Sequence, residues 1–462
     1  MLADSLHVSS YLSSWAQAQS LSLGWIQLKQ QREGASQALY PGADWHAMPR
    51  VMVVPVGGAE TVRRLLEEFN VSLRGRRVFI KVNAVDFRKG CYTSPEAIGA
   101  AVDAAYELGA SEVLVMENST QGNFTRLVFR VTGIADVLKR KGAKPIYLDE
   151  ERSVRVKVGE LQVKLPKVVY KSLIEDRDGF YLNMPKLKTH DMTKVTLSLK
   201  NQLGFLYHDD RRIHHSRFEL HKLIADLYSL IKPDFVIVDG RHATVHGHYP
   251  LEKMLDRYIV PMGVYIAGDD ALAVDTIAAR ILGYDVSEVE HLKLADEKHK
   301  VSGRIEVIGD ISRFNRRYPH KHIGVYPEGV KIVKGKERAC EEGCVDNTLM
   351  VLEMLHVDYG GRGEFSIVFG KGLDKKELEN LKPPVLIVGP CAVEEAGDFL
   401  KKRYRKVVEV PYCNDLAAVL TALMKFMKLK ATQLVPIPAT SLIAEWIKAK
   451  LHGSTAHTPP LF

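Results

Sequence analysis

Arg77-Val-Phe-Ile-Lys-Val82, then Pro95-Glu-Ala-Ile-Gly-Ala-Ala-Val-Asp-Ala-Ala-Tyr-Glu-Leu108, then Glu112-Val-Leu-Val-Met116: this stretch decides the fold. The first and last runs are short, apolar and rich in β-branched residues. The middle run is Ala-rich, opens on Pro95 and stops at Gly109. Strand, helix and strand in that order imply a parallel sheet covered by helices. Upstream, Val51–Val56 predicts a strand and Glu60–Phe69 a helix. Downstream, residues 151–170 alternate like a hairpin. Gly179–Asn183, Phe235–Val238 and Val264–Ala267 predict buried strands, Ala271–Leu282 a helix and Arg304–Ile308 a strand. Pro327 to Lys336, rich in Gly and Lys, predicts a linker. Beyond it Phe365–Phe369, Val385–Val388 and Val407–Val410 alternate with helices starting near Lys375, Val393 and Asp415.

The expected fold class is therefore α/β. A larger domain of mixed or parallel sheet with flanking helices covers 51–326. A smaller doubly wound α/β domain covers 338–430, and a C-terminal helix and tail cover 431–462. Residues 1–50 read as an irregular arm in which Trp15 and Trp25 pack on the body of the protein. A length of 462 residues suits two or three domains at about 150 residues each.

Composition is that of an ordinary globular chain, with 46% hydrophobic and 26% charged residues. The net charge of +8 suits an anionic substrate or a phosphate-bearing ligand as well as plain solvated helix faces. Arg-rich blocks and RNA-type aromatic motifs are absent, so nucleic acid is not an expected partner. No apolar run approaches the ~18 residues of a membrane span, and no secretory signal is read at the N-terminus. The expectation is a cytoplasmic protein with no membrane association. A homo-oligomer and a redox partner protein are both compatible with it.

The segment Asn183-Met-Pro-Lys-Leu-Lys-Thr-His190, followed by Leu197-Ser-Leu-Lys-Asn-Gln-Leu-Gly204, carries the chemistry. An apolar strand runs straight into it. Ligands of open α/β sheets sit at carboxyl ends of strands, which would place Lys186, Lys188 and His190 at such an end. Lys200 and Asn201 add an ammonium and an amide. A desolvated lysine has a lowered pKa and can act as base or nucleophile. The alternative is solvated lysines and a packing histidine. Eight of the 17 histidines fall here: His190, His208, His214, His215, His221, His242, His246 and His248. His242, His246 and His248 with Asp239 also allow a metal reading, although no fixed metal spacing is present. Lys81, Asn83, Glu117, Asn118, Ser119, Asp269 and Asp270 end other strands, with Asp275 one turn into a helix. Asp269 and Asp270 equally fit helix caps. Dinucleotide and P-loop glycine motifs are missing.

Four of five cysteines share the last part of the chain: Cys340, Cys344, Cys391 and Cys413. Cys391 and Cys413 follow successive strands, next to helix starts that favour thiolate. Four thiolates suit a [4Fe–4S] cluster or tetrahedral zinc. A redox dithiol and inert buried thiols are the alternatives. Cys91 stands apart and is read as inert.

Over roughly residues 51–320 the chain resembles the family known as domain of unknown function 362. The resemblance rests on Lys81-Val-Asn83, Pro185-Lys-Leu-Lys-Thr-His190, Ser198-Leu-Lys-Asn201, Pro233-Asp-Phe-Val-Ile-Val-Asp-Gly240 and Gly268-Asp-Asp-Ala-Leu-Ala-Val-Asp275. It implies an iron–sulfur association, often through an appended ferredoxin-type segment. No ferredoxin-type cysteine run exists here, so only the four cysteines would serve. The order of elements is also remotely similar to the nickel-pincer lactate racemase family. There a lysine tethers the cofactor and histidines move a proton, which implies a nickel-containing cofactor as a further alternative.

The leading expectation is a metal- or iron–sulfur-dependent enzyme acting on a small anionic metabolite by proton or electron transfer. His190, Lys188 and Lys200 would be catalytic. Lys81, Asn83, Lys186, Asn201, His214, Asp239 and Asp269 would bind the anion, and the four cysteines the metal. A redox- or metal-sensing binding module, or a metal- or cofactor-delivery protein, are the other classes the residues allow.

Overall fold

The computed structural model describes residues 48–120, 123–211, 219–413 and 415–457. Trp15, Trp25, His214 and His215 lie outside these residues.

Among the described residues twelve strands precede residue 310: β1 (Arg50–Pro55), β2 (Arg77–Val82), β3 (Glu112–Glu117), β4 (Lys144–Tyr147), β5 (Ser153–Val158), β6 (Leu161–Pro166), β7 (Gly179–Met184), β8 (Lys186–His190), β9 (Lys194–Val195), β10 (Phe235–Thr244), β11 (Ile259–Gly268) and β12 (Glu306–Ile308). The main sheet runs in the order β12-β1-β11-β10-β7-β2-β3-β4. Every neighbouring pair is parallel except those made by β11, which runs against both β1 and β10. The hairpin β8–β9 attaches to the carboxyl end of β10, and β5–β6 form the separate hairpin expected from their alternation.

Alternate residues feed opposite faces, as a pleated strand requires. Val51, Val53, Val236 and Val238 join one apolar core, while Met52, Val54, Val78, Ile80 and Val115 join the other. Each such buried side chain contributes about 1.5–3 kcal/mol relative to exposure. The helix Pro95–Glu107 has Pro at its start and buries Ala97, Ala100, Ala101, Ala104 and Ala105. Small side chains let its backbone lie close to the sheet.

The second sheet holds β13 (Val330–Lys334), β14 (Phe365–Phe369), β15 (Val385–Val388) and β16 (Val407–Val410), all parallel and in that order. The expected linker at 327–336 is thus an edge strand; its Val and Ile pair with β14, which outweighs the local Gly and Lys. The helix Ala439–Leu451 returns to the large domain. Leu442 and Ala449 pack against Phe124 and Leu127, and Ser454 bonds Asp149 at 2.5 Å. A buried ion pair at 2.5 Å, Arg88 to Asp358, also joins the two domains. Among the described residues no helix is long and apolar enough to cross a membrane.

Candidate functional site

The carboxyl ends of β2, β3 and β7 meet the hairpin β8–β9 and the short helix Leu197–Asn201. A buried polar network fixes this junction. Lys81 Nζ donates to Glu117 Oε1 at 2.5 Å and to the carbonyl of Val82 at 2.8 Å. The other Glu117 oxygen accepts from the Ala84 amide at 2.7 Å. Asn83 Nδ2 donates to Asn201 Oδ1 at 3.1 Å, and Asn201 Nδ2 donates to Asn183 Oδ1 at 2.8 Å. Asp275 accepts from the Ser198 and Leu199 amides, each at 2.8 Å, and so anchors the start of the Leu197–Asn201 helix. Gly204 is required by this closeness: a Cβ there would lie 2.4 Å from Glu117 Oε1 and 2.6 Å from Lys81 Nζ.

Against this network lies a cavity of about 100 Å³. Its lining brings together Asn83, Lys188, His190, Lys200 and Asn201 with Glu117, Asn118, Thr196, Arg211 and His248. Burial lowers Lys188 to about 8, with Cys91 and Glu117 opposing and Lys186 adding to the drop. Lys200 is held well below the ordinary lysine value by burial and then by the positive charges of Lys188 and Arg211. Among the described residues its side-chain nitrogen has no hydrogen bond or ion pair. Arg211 donates to the carbonyls of Asn118 at 2.9 Å and Ser119 at 3.2 Å. Burial brings it to about 10, so it stays charged at neutral pH.

Four buried polar atoms on this lining have no partner among the described residues: Asn83 Oδ1, Asn118 Oδ1, Thr196 Oγ1 and Arg211 Nε. Unsatisfied buried groups cost about 1–3 kcal/mol each. Acceptors and a donor left open around one cavity mark a place for a polar ligand.

His190 accepts the Met192 amide on Nδ1 at 3.2 Å, which leaves the proton of a neutral ring on Nε2. Its ring stacks on His248. His248 in turn meets Asp191 at 3.3 Å, and His322 meets the other Asp191 oxygen at 3.0 Å. Burial alone would raise the Asp191 carboxyl; the His248 and His322 hydrogen bonds outweigh it and hold it far below the carboxylate range.

Other expected site residues are placed elsewhere. Lys81 lies beneath the cavity, paired with Glu117, and does not line it. Lys186 turns to Asp239, with Nζ 3.2 Å from Oδ2, and both are buried outside the lining. Asp269 follows β11, the antiparallel strand, so its end lies at the opposite edge of the sheet from the cavity. Asp270 caps the helix Ala271–Ile281 by accepting from Ala273 at 2.8 Å. His242 is exposed and His246 meets the Lys321 carbonyl at 3.3 Å, so the His242, His246, His248 and Asp239 metal reading has no common point. His214 falls outside the described residues. Glu117, Asn118 and Arg211 were absent from the expected site. Glu117 and Asn118 had a signal, a polar strand end; Arg211, in a helical turn, had none.

The cysteines gather at the carboxyl edge of the small sheet. Cys340 follows β13, Cys391 follows β15 at the start of the helix Pro390–Arg403, and Cys413 follows β16. Burial pushes the Cys344 thiol up to about 12, and Cys413, Cys340 and Cys391 add to the shift, so all four lie within electrostatic reach. A Cβ at Gly343 would make only ordinary contacts, 3.6 Å from that of Cys340 and 4.0 Å from that of Cys413. At Gly389, with φ +93°, a Cβ would lie 3.2 Å from Cys344 Sγ. Among the described residues no three His, Cys, Asp or Glu side chains stand in a ligating arrangement. A second cavity of about 420 Å³, lined by Cys340, Cys413, His221 and Glu342, shares Met192 and Leu220 with the first. Asn347 and Leu416, just beyond Cys344 and Cys413 in the chain, line the first cavity directly.

Residues 78–280 match the family described as domain of unknown function (DUF362). This segment is similar to that family, which spans a little under half of the chain. It contains the cavity lysines and histidines, whereas the four grouped cysteines and Asn347 come from outside it. A crystal structure of a Thermotoga maritima structural-genomics protein is similar at 13% identity over 69% of this chain and 73% of that chain, with a TM-score of 0.31. No curated protein matches the chain. The lactate racemase similarity has no counterpart among these matches.

Proposed function

We propose that the protein is an enzyme that binds a small anionic metabolite between Lys188, Lys200 and Arg211 and acts on it by proton or electron transfer. One observation carries the reading: two cations, Lys188 and Arg211, the Lys200 amine and four unpartnered polar atoms surround a single cavity whose carboxylate, Glu117, is already paired with Lys81. Asn83 and Asn201 would orient the ligand, and His190 would present Nε2–H to it.

The four thiols would hold a metal group, with [4Fe–4S] ahead of zinc. Support comes from the thiol chemistry and from Gly389, whose backbone runs beside Cys344. Closing the set on one centre needs rotation of the side chains, and Cys340 and Cys391 are only half-buried. Such a group would supply electron transfer or Lewis acidity beside the cavity. Five free cysteines agree with a reducing, cytoplasmic setting. The partial exposure of Cys340 and Cys391 also favours a second reading, delivery of metal to a partner protein.

Anaerobic purification with iron, sulfide, zinc and nickel analysis, followed by a thermal-shift screen of small carboxylates and phosphates, tests the proposal. Stoichiometric metal and stabilisation by one class of anion are expected. Metal that chelators strip at once, with no anion effect, would favour delivery. A metal-free protein indifferent to every anion would end both readings.

A further inference from the structure

We infer that Lys200 forms an imine with the carbonyl carbon of a short 2-oxo acid held in the cavity. The inference rests on the small-anion reading above and names its substrate class. The cavity, of about 100 Å³, has room for several waters and so for a short acid. One carboxylate is satisfied by two cations, and Lys188 and Arg211 provide them. Lys200 is then left over. It lines the same space and has no hydrogen bond or ion pair among the described residues.

An amine must be unprotonated to attack a carbonyl. Burial and two neighbouring positive charges hold Lys200 in that form, the usual way a lysine is made nucleophilic. The Lys200 nitrogen adds to the carbonyl carbon, the carbonyl π pair moves to oxygen, and one N–H proton follows it to give a carbinolamine. That hydroxyl needs acceptors, and Asn83 Oδ1 and Asn118 Oδ1 are both unpartnered on the lining. Loss of the hydroxyl with the second N–H proton releases water and leaves C=N. Amine plus ketone gives imine plus water, with no oxidant or other reactant.

The test is reduction trapping. The full-length, anaerobically purified protein is incubated with glyoxylate or pyruvate and cyanoborohydride, then read by intact mass and peptide mapping. Oxalate, which has no ketone, is followed in parallel by thermal shift. A single reduced adduct on Lys200, lost at least tenfold in Lys200→Arg, is expected. An adduct spread over other lysines, or unchanged in Lys200→Arg, overturns the inference. No adduct while oxalate stabilises the protein overturns the imine and leaves the anion site standing. No adduct and no oxalate effect overturn both. Should Lys200→Arg fail to fold, the peptide map of the wild-type protein alone decides.

Discussion

The imidazole rings of His190 and His248 lie 3.7 Å apart and 4° from parallel. Two stacked rings at that distance cannot both carry charge cheaply. Burial settles which is neutral: it holds His248 down to about 4, against the pull of its Asp191 hydrogen bond. At neutral pH His190 therefore faces an uncharged ring on one side and the lysine-lined cavity on the other.

Acidification should remove the stability that the buried neutral histidines contribute. His248 at about 4, His208 at about 3 and His291, well below its ordinary value, are all depressed mainly by burial. Their unfolded forms take up protons near ~6.5 while the folded forms do not. Their stability is present above ~6.5 and is lost as pH falls toward about 4. His322 has the opposite sign: although burial lowers it, Asp191 raises it further, so its contribution grows as pH falls through its raised value and is complete below ~6.5. Asp275, raised by burial to about 8, and Asp346, raised to about 6, act in the same direction as His322, so the histidine part is read by difference; His248 alone is worth on the order of 3 kcal/mol. Between pH 7.5 and pH 5 the urea midpoint of the wild-type protein should change unfavourably relative to that of His248→Gln; an identical pH dependence in the two would contradict this.

The Lys81–Glu117 pair sits fully buried under the cavity. Lys81→Met would strand a buried carboxylate, a loss of about 3–5 kcal/mol. Gly204→Ala would press a methyl group into the same pair and cost about 1–3 kcal/mol. Chemical denaturation measures both. Wild-type stability in Gly204→Ala would show that the packing is looser than described.

Lys186 and Lys188 should separate in function. Lys186 is spent on Asp239, so Lys186→Met lowers stability yet leaves anion-induced stabilisation intact. Lys188→Met should abolish that stabilisation, worth about 2.7 kcal/mol at a hundredfold excess over Kd. A thermal shift with oxalate on each variant reads the difference, and equal losses would remove the distinction.

Much of the fold was legible because the strands announce themselves: Arg77–Val82 and Phe365–Phe369 fall on the expected residues. Direction was not. Val264–Ala267 reads as a buried strand in either orientation, and only its pairing with β1 and β10 sends Asp269 to the wrong edge for the cavity. The Lys186–His190 run was read as a strand-end loop because Lys and His are not strand formers; it pairs as β8 through its backbone. Lys188, His190, Lys200, Asn83 and Asn201 were legible as a cluster because they end strands that the sheet places side by side. Arg211 and Asn347 enter through tertiary packing that no local pattern records.

Metal content should depend on the grouped cysteines alone. Cys344→Ser should strip iron and sulfide, or zinc, from the anaerobic preparation, while Cys91→Ser should not. Cys91 is buried in the large domain with Sγ 3.1 Å from the His248 carbonyl. Unchanged metal in Cys344→Ser would exclude the thiol site.

The most direct measurement is a calorimetric titration of oxalate into the wild-type protein, Lys188→Met and Lys200→Met at low and high salt. Lys188 and Arg211 on one cavity predict saturable binding at one site, weakened by salt, lost in Lys188→Met and retained in Lys200→Met. Absence of binding to the wild-type protein, or equal binding to all three, would contradict the account.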